Sequence, residues 1–242
     1  MPIAAKLAKL VRLARRPRLW RTALVHRVVG AVEHDWPIRF TQAATLIDAG
    51  ANRGQFSTLF HALRPNATIL AFEPLPEAAD AYAALFANVP NVHLHRMALS
   101  DRTGSATFHI ADRADSSSLL APGTGQEAAF NVRCARTIDV RVDRLDRQVD
   151  MSKLSRPIML KIDVQGAELD VLRGTDNLDA VDFVYVELSF VPLYERQALF
   201  DDVASFLRNE QFELAGVFNQ VITNRFGPTQ ADFLFRNARV LS

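Results

Sequence analysis

The sequence predicts a doubly wound α/β fold, a mostly parallel sheet with helices on both faces. Three observations predict it. Short apolar runs alternate with helical patterns from residue 44 onward, a glycine-bearing turn follows the first run, and two late apolar runs can close as a hairpin. Thr45–Ala49, Thr68–Phe72, Val92–His95, Ile158–Ile162 and Val181–Glu187 read as buried strands, each ending where polar residues begin. Helices are expected over Phe56–Leu63 and over the alanine-rich Glu77–Phe86. Phe212–Phe218 and Asp232–Phe235, joined by a loop with Gly227-Pro228, complete the hairpin. Between residues 98 and 156 the helical pattern fades. Ser105–Ile110 and Val132–Val142 alternate as strands there, so an antiparallel β insertion with a mobile Ser- and Gly-rich loop over Ser116–Gln126 is expected, a place for substrate-selecting elements.

The composition bounds the class. With 242 residues and 49% hydrophobic content, the chain can bury one large core. The single Cys134 cannot form an internal disulfide, and no uncharged apolar run reaches the ~20 residues of a spanning helix. No signal-peptide block opens the chain, so a cytoplasmic protein is expected. The net charge of +1 hides an asymmetry: residues 1–32 hold eight basic side chains and no acidic one, leaving 20 basic against 27 acidic in the rest. Two parts are expected, a basic amphipathic helical segment over 1–40 and a main domain over 41–242. At about 100° per residue Ile3, Leu7, Leu10, Val11 and Ala14 share one face, with the basic residues opposite. That pattern fits a helix resting on an anionic membrane; packing on the main domain or a partner subunit, and a basic arm for nucleic acid, stay open.

The stretch "LIDAGANRGQFS" reads as strand, turn and helix, and ligands bind at such turns in open α/β sheets. Gly50 and Gly54 permit close backbone approach, and Asn52 tolerates a left-handed conformation. The dinucleotide pattern of three glycines is not met, since Asn52 and Gln55 stand in its place, and no Gly-Lys-Ser/Thr follows to make a P-loop. Glu73, at the end of the second strand, can accept two hydrogen bonds from a ribose diol. An adenosine ligand without a pyrophosphate satisfies both features, and S-adenosylmethionine (SAM) is one. An ordinary strand-end acid before Pro74 is the plainer reading of Glu73.

Taken in order, "LIDAGANRGQFS", "AFEPLPEA", "MALSDRTGSATF", "SSSL", "VRVDRLD", "LKIDVQGAELDVLRG" and "VYVELSF" resemble the motifs of the FkbM family of SAM-dependent methyltransferases, over roughly residues 44–236. The resemblance implies a Rossmann-like class I methyltransferase sheet of seven strands with an antiparallel last strand. It implies methyl transfer to a hydroxyl oxygen, often of a sugar or natural product. It also implies that Asp48, Gly50, Asn52 and Gly54 line the methionine part of SAM, that Glu73 holds the ribose, and that Ala98, Leu99 and Ser100 lie by the adenine.

The reacting end needs a base or a metal near the acceptor oxygen, because a protonated hydroxyl is a poor nucleophile. Lys161, Asp163 and Glu168 surround the end of the fourth strand, and Glu187 ends the fifth. Asp163, Glu168 and Glu187 form a candidate carboxylate cluster for a base or a divalent cation. The plainer readings make Lys161 an ion-pair partner in the sheet and Glu168 a helix opener. Asp163-Val164-Gln165-Gly166 lacks the proline and aromatic of enzymes that methylate base nitrogens, which disfavours nucleic acid as the acceptor. A small-molecule, glycan or lipid-linked acceptor is expected. RNA ribose methylation, an NAD-linked oxidoreductase and a non-catalytic partner-binding protein on the same fold are the alternatives.

Overall fold

The computed structural model describes residues 26–241. In chain order its strands are β1 (Thr45–Ala49), β2 (Thr68–Phe72), β3 (Val92–His95), β4 (Ala98–Leu99), β5 (Gly104–Ala111), β6 (Cys134–Asp143), β7 (Ile158–Ile162), β8 (Phe183–Ser189), β9 (Phe212–Thr223) and β10 (Gly227–Asn237). The helices are α1 (Asp35–Thr41), α2 (Gln55–Leu63), α3 (Pro76–Leu85), α4 (Thr124–Phe130), α5 (Leu145–Gln148), α6 (Glu168–Arg173) and α7 (Phe200–Asn209). Seven strands form the main sheet in the order β3-β2-β1-β7-β8-β10-β9, and only β10 runs antiparallel to its neighbours. This is the doubly wound sheet with an inverted last strand that the sequence leads one to expect.

Alternation along the central strands fills both faces. Ile47, Leu160, Val184 and Val186 join one core cluster with Leu169 and Leu172 of α6 and Val203 and Leu207 of α7. Leu46, Met159, Phe183 and Tyr185 join the other with Val32, Ile38, and Leu59 and Phe60 of α2. Strands buried on both sides must read as continuous apolar runs, which is why β1 and β7 were visible to the residue. The polar exceptions on the second face, Asp48 and Lys161, sit side by side in the β1–β7 register. The segment before β1 therefore does more than lead into the sheet: by burying Val32 and Ile38 it carries His34 across the same face.

The insertion departs from expectation in two ways. Its second sheet, ordered β4-β6-β5, pairs β5 and β6 antiparallel but β4 parallel to β6. Its Ser- and Gly-rich stretch is hydrogen-bonded to the second sheet and partly helical, where an open loop is expected. Ser118 bridges His109, Ser117 Oγ accepts the Ala111 N–H at 3.1 Å, and the chain then forms α4, whose Gln126 is buried. Small residues allow this close packing: a Cβ on Gly125 would lie 2.0 Å from the Pro192 carbonyl. The hairpin also differs. Gly227 and Pro228 belong to β10 and the turn lies over Asn224–Phe226, with the Thr223 and Thr229 hydroxyls 2.7 Å apart behind it. The proline sits beside a register shift, where the ladder tolerates a missing donor. Most of the expected basic helix lies in residues 1–25, outside the described residues. Among the described residues no helix is long and apolar enough to cross a membrane.

Candidate active site

The turn after β1 passes through Gly50, Asn52 and Gly54, all with positive φ (+76, +48 and +90), before entering α2. A Cβ on Gly50 would lie 1.9 Å from the Asp163 carbonyl oxygen, so this turn and the end of β7 meet backbone to backbone. The Asn52 N–H donates to Glu73 Oε2 at 2.7 Å, and the Leu75 N–H donates to Oε1 at 2.8 Å. Two loops thus fix one carboxylate, and each of its oxygens keeps a lone pair for a further donor. Burial pushes Glu73 up to about 7 despite these two bonds.

Behind the turn lies a buried pair. Lys161 Nζ is 3.1 Å from Asp48 Oδ1, 3.0 Å from the Gly50 carbonyl and 3.6 Å from Asp163 Oδ2. Burial works against the lysine charge, but the carboxylates of Asp48 and Asp163 outweigh it and hold the Lys161 pKa above its ordinary value. Asp48 Oδ2 accepts from Ser57 Oγ at 2.7 Å, and Ser57 accepts from the Tyr82 hydroxyl at 3.0 Å. Asp48 is fully buried in this network and shapes the turn from below, where the resemblance placed it on the ligand. Gly54 likewise packs against Tyr82, Leu85 and Phe86.

The far end is built from four strands. Asp163, beyond β7, has a side chain 40% exposed. Gln165, held at φ +59, donates from Nε2 to Asp163 Oδ1 at 2.7 Å and to Glu187 Oε2 at 3.1 Å. Glu187 stands directly opposite Asp232 in the β8–β10 register. Like charges so placed repel. Burial first, then the nearby Asp163 and Asp232, raise Glu187 well above the carboxylate range, which favours its protonated form. Asp232 is raised by burial but is opposed by its partners: the Tyr185 hydroxyl donates to Oδ2 at 3.0 Å, Asn219 Nδ2 donates at 2.7 Å, and His34 Nδ1 lies 3.4 Å away. A bulge in β9, where Asn219 and Gln220 face the single Ala231, turns Asn219 to φ +47 and aims it at this group.

A cavity of about 330 Å³ joins the two ends. Gly50, Asn52, Glu73, Ala98 and Leu99 line it, as do Lys161, Asp163 and Glu187. Asp48, Gly54, Ser100 and Glu168 stand outside its wall. Ser100 bonds to Asp101 and to the backbone of Asp143, and Glu168 Oε1 accepts the Gly166 N–H at 2.8 Å. Glu168, pushed up to about 7 by burial, therefore braces the turn that carries Gln165. Among the described residues no three His, Cys, Asp or Glu side chains gather as a metal-binding group, so Asp163, Glu168 and Glu187 do not converge as the candidate cation site requires. Sequence reading passed over His34, Gln165, Tyr185 and Asp232. The Gln165-Gly166 pair, both left-handed, carried a local turn signal; His34 carried none.

Comparison with known proteins decides the family. The domain described as "Methyltransferase FkbM domain" matches residues 48–214. The chain belongs to the FkbM methyltransferase family. The 2-O-methyltransferase NoeI of Sinorhizobium fredii is 30% identical over 225 residues, 89% of this chain and 86% of that protein. Methyltransferase 1 of Beauveria bassiana is 32% identical over 62% of this chain and 66% of its own length. The hexuronic acid methyltransferase AglP of Haloferax volcanii is 30% identical over 59% of this chain and 55% of its own. This methyltransferase uses SAM, which supplies an electrophilic methyl group on a sulfonium. The residues present fit that donor. A glycine approach closed to any Cβ, a Glu73 carboxylate with two spare lone pairs, and the apolar Leu75, Phe108 and Leu119 beside Ala98 and Leu99 suit an amino acid, a ribose and a base.

Proposed function

We propose that this methyltransferase methylates a hydroxyl oxygen of a sugar, or of a sugar-bearing or other natural product. The observation that carries the proposal is the continuous cavity from Glu73 to the Asp163–Glu187–Asp232 group, which leaves room for an acceptor beside ionisable side chains. Relatives named as a 2-O-methyltransferase and a hexuronic acid methyltransferase support an oxygen acceptor on a sugar. In this reading the Gly50–Asn52 turn holds the methionine part of SAM, Glu73 the ribose, and Ala98 and Leu99 the adenine. Asp48, Gly54, Ser100 and Glu168 act one layer back. Asp163, with Gln165 and Lys161, orients the reacting groups, since in-line displacement depends chiefly on position. The test is incubation of the full chain with SAM and extracts of cells lacking it, followed by mass spectrometry. One added methyl on a hydroxyl is expected. Methyl on nitrogen, or NAD-dependent oxidation in its place, would overturn the reading.

The acceptor is further proposed to be lipid-linked, met at an anionic membrane through the basic residues 1–32. Trp36 and Phe40, stacked 4.8 Å apart and about half exposed just beyond that segment, suit a membrane interface. Co-sedimentation with anionic liposomes should fall when residues 1–25 are removed; equal binding by both chains would sink this part.

A further inference from the structure

We propose that His34 takes the acceptor's proton, at Nε2, with Asp232 and Tyr185 as the residues that position it. The proposal rests on the methyltransferase reading but reaches outside the matched domain, since His34 precedes residue 48. Four elements converge on its ring. Val32 and Ile38 anchor its segment on the sheet, and Phe56 of α2 packs edge-on with centroids 5.3 Å apart. Tyr185 of β8 places its hydroxyl 2.8 Å from Nδ1, and Asp232 of β10 and Asn219 of β9 stand 3.4 and 3.2 Å from the same nitrogen.

One assignment of the hydrogens gives every donor of this group an acceptor. The Tyr185 hydroxyl and Asn219 Nδ2 both donate to Asp232 Oδ2, at 3.0 and 2.7 Å. With its one hydrogen so used, the Tyr185 oxygen presents a lone pair to Nδ1. The carboxylate beyond it favours a proton at that position. The second Asn219 hydrogen is placed on the Tyr185 oxygen at 3.5 Å and not on Nδ1 at 3.2 Å, so that Nδ1 carries a hydrogen and the lone pair is left on Nε2. That nitrogen has no partner among the described residues, and the ring lines the cavity shared with Gly50, Glu73 and Asp163. The rival bases are compromised. Asp163 already accepts from Gln165 Nε2 at 2.7 Å and stands 3.6 Å from Lys161 Nζ, and Glu187 favours its protonated form.

In the step, the acceptor O–H bond breaks and its proton passes to Nε2. The oxygen's electron pair forms the bond to the transferred methyl, and the pair of the broken carbon–sulfur bond stays on sulfur. His34 ends as an imidazolium facing Asp232, and loses that proton to solvent.

The test has two readouts on the full chain. Long-range ¹H–¹⁵N NMR should show neutral His34 protonated at Nδ1, and Asp232→Asn should move it toward the Nε2–H form. A wild-type Nε2–H tautomer would overturn the proposal. Methyl transfer from labelled SAM into extracts of cells lacking the protein should fall about 10²–10⁴-fold in His34→Gln, with S-adenosylhomocysteine affinity kept within a few-fold and partial rescue of His34→Gly by imidazole. Wild-type rates in His34→Gln would refute the role of His34 alone; absence of SAM binding by the wild type would instead refute the methyltransferase reading.

Discussion

The two ends of the cavity are built by different means. At the donor end the backbone does the work: two N–H groups fix Glu73, and a carbonyl contact dictates glycine at position 50. At the acceptor end side chains from the end of β7, from β8, β9, β10 and from the leading segment form two hydrogen-bonded groups, one around Gln165 and one around Asp232, which face each other at Glu187 and Asp232. A backbone-made site suits a ligand shared across a family, while a side-chain site can be re-tuned one substitution at a time.

That contrast can be broken most severely at Gly50. In Gly50→Ala the new methyl meets the Asp163 carbonyl at 1.9 Å and the φ of +76 is strained as well. A loss of at least about 3 kcal/mol is expected, read as a lowered denaturation midpoint, together with loss of SAM binding. Asp163→Ala acts at the other end alone: turnover should fall roughly 10²–10³-fold while SAM affinity changes little. Unchanged turnover would remove Asp163 from the chemistry.

The pH dependence separates the ends further. Glu73 must be ionised to accept two ribose hydroxyls, and burial holds it near 7 in the free protein. Below that value binding must first expel a proton, so SAM affinity should rise about tenfold between pH 6 and 8. Glu73→Gln should flatten that rise. The smallest effect belongs to the support beneath the turn. Tyr82→Phe deletes the hydroxyl that donates to Ser57, which should cost about 1 kcal/mol of stability and leave turnover nearly intact.

The same contrast explains what could be read from the chain. β1, β2 and β7 were legible to the residue because their burial is written in local apolar runs, and the half-buried β3 because Val92 and Leu94 alternate with histidines. The turn and Glu73 were legible because backbone chemistry restricts residue type. Asp48 was found but its place was not: whether a strand-end carboxylate faces a ligand or a lysine depends on Lys161, 113 residues away. α4 was missed because its seven residues begin with three polar side chains and a glycine before any apolar residue, and Gln126 against Tyr194 ties it down. His34 could not have been seen. Nothing in "VEHDWP" marks a site until Val32 and Ile38 fold it across Tyr185.

Calorimetric titration of SAM into the wild type and into Glu73→Ala tests the central claim most directly. The variant loses two charge-assisted hydrogen bonds to the ribose and frees the Asn52 and Leu75 N–H groups, so affinity should fall roughly 100-fold, about 3 kcal/mol. Equal affinity in the two proteins, or no SAM binding by the wild type, would contradict the account.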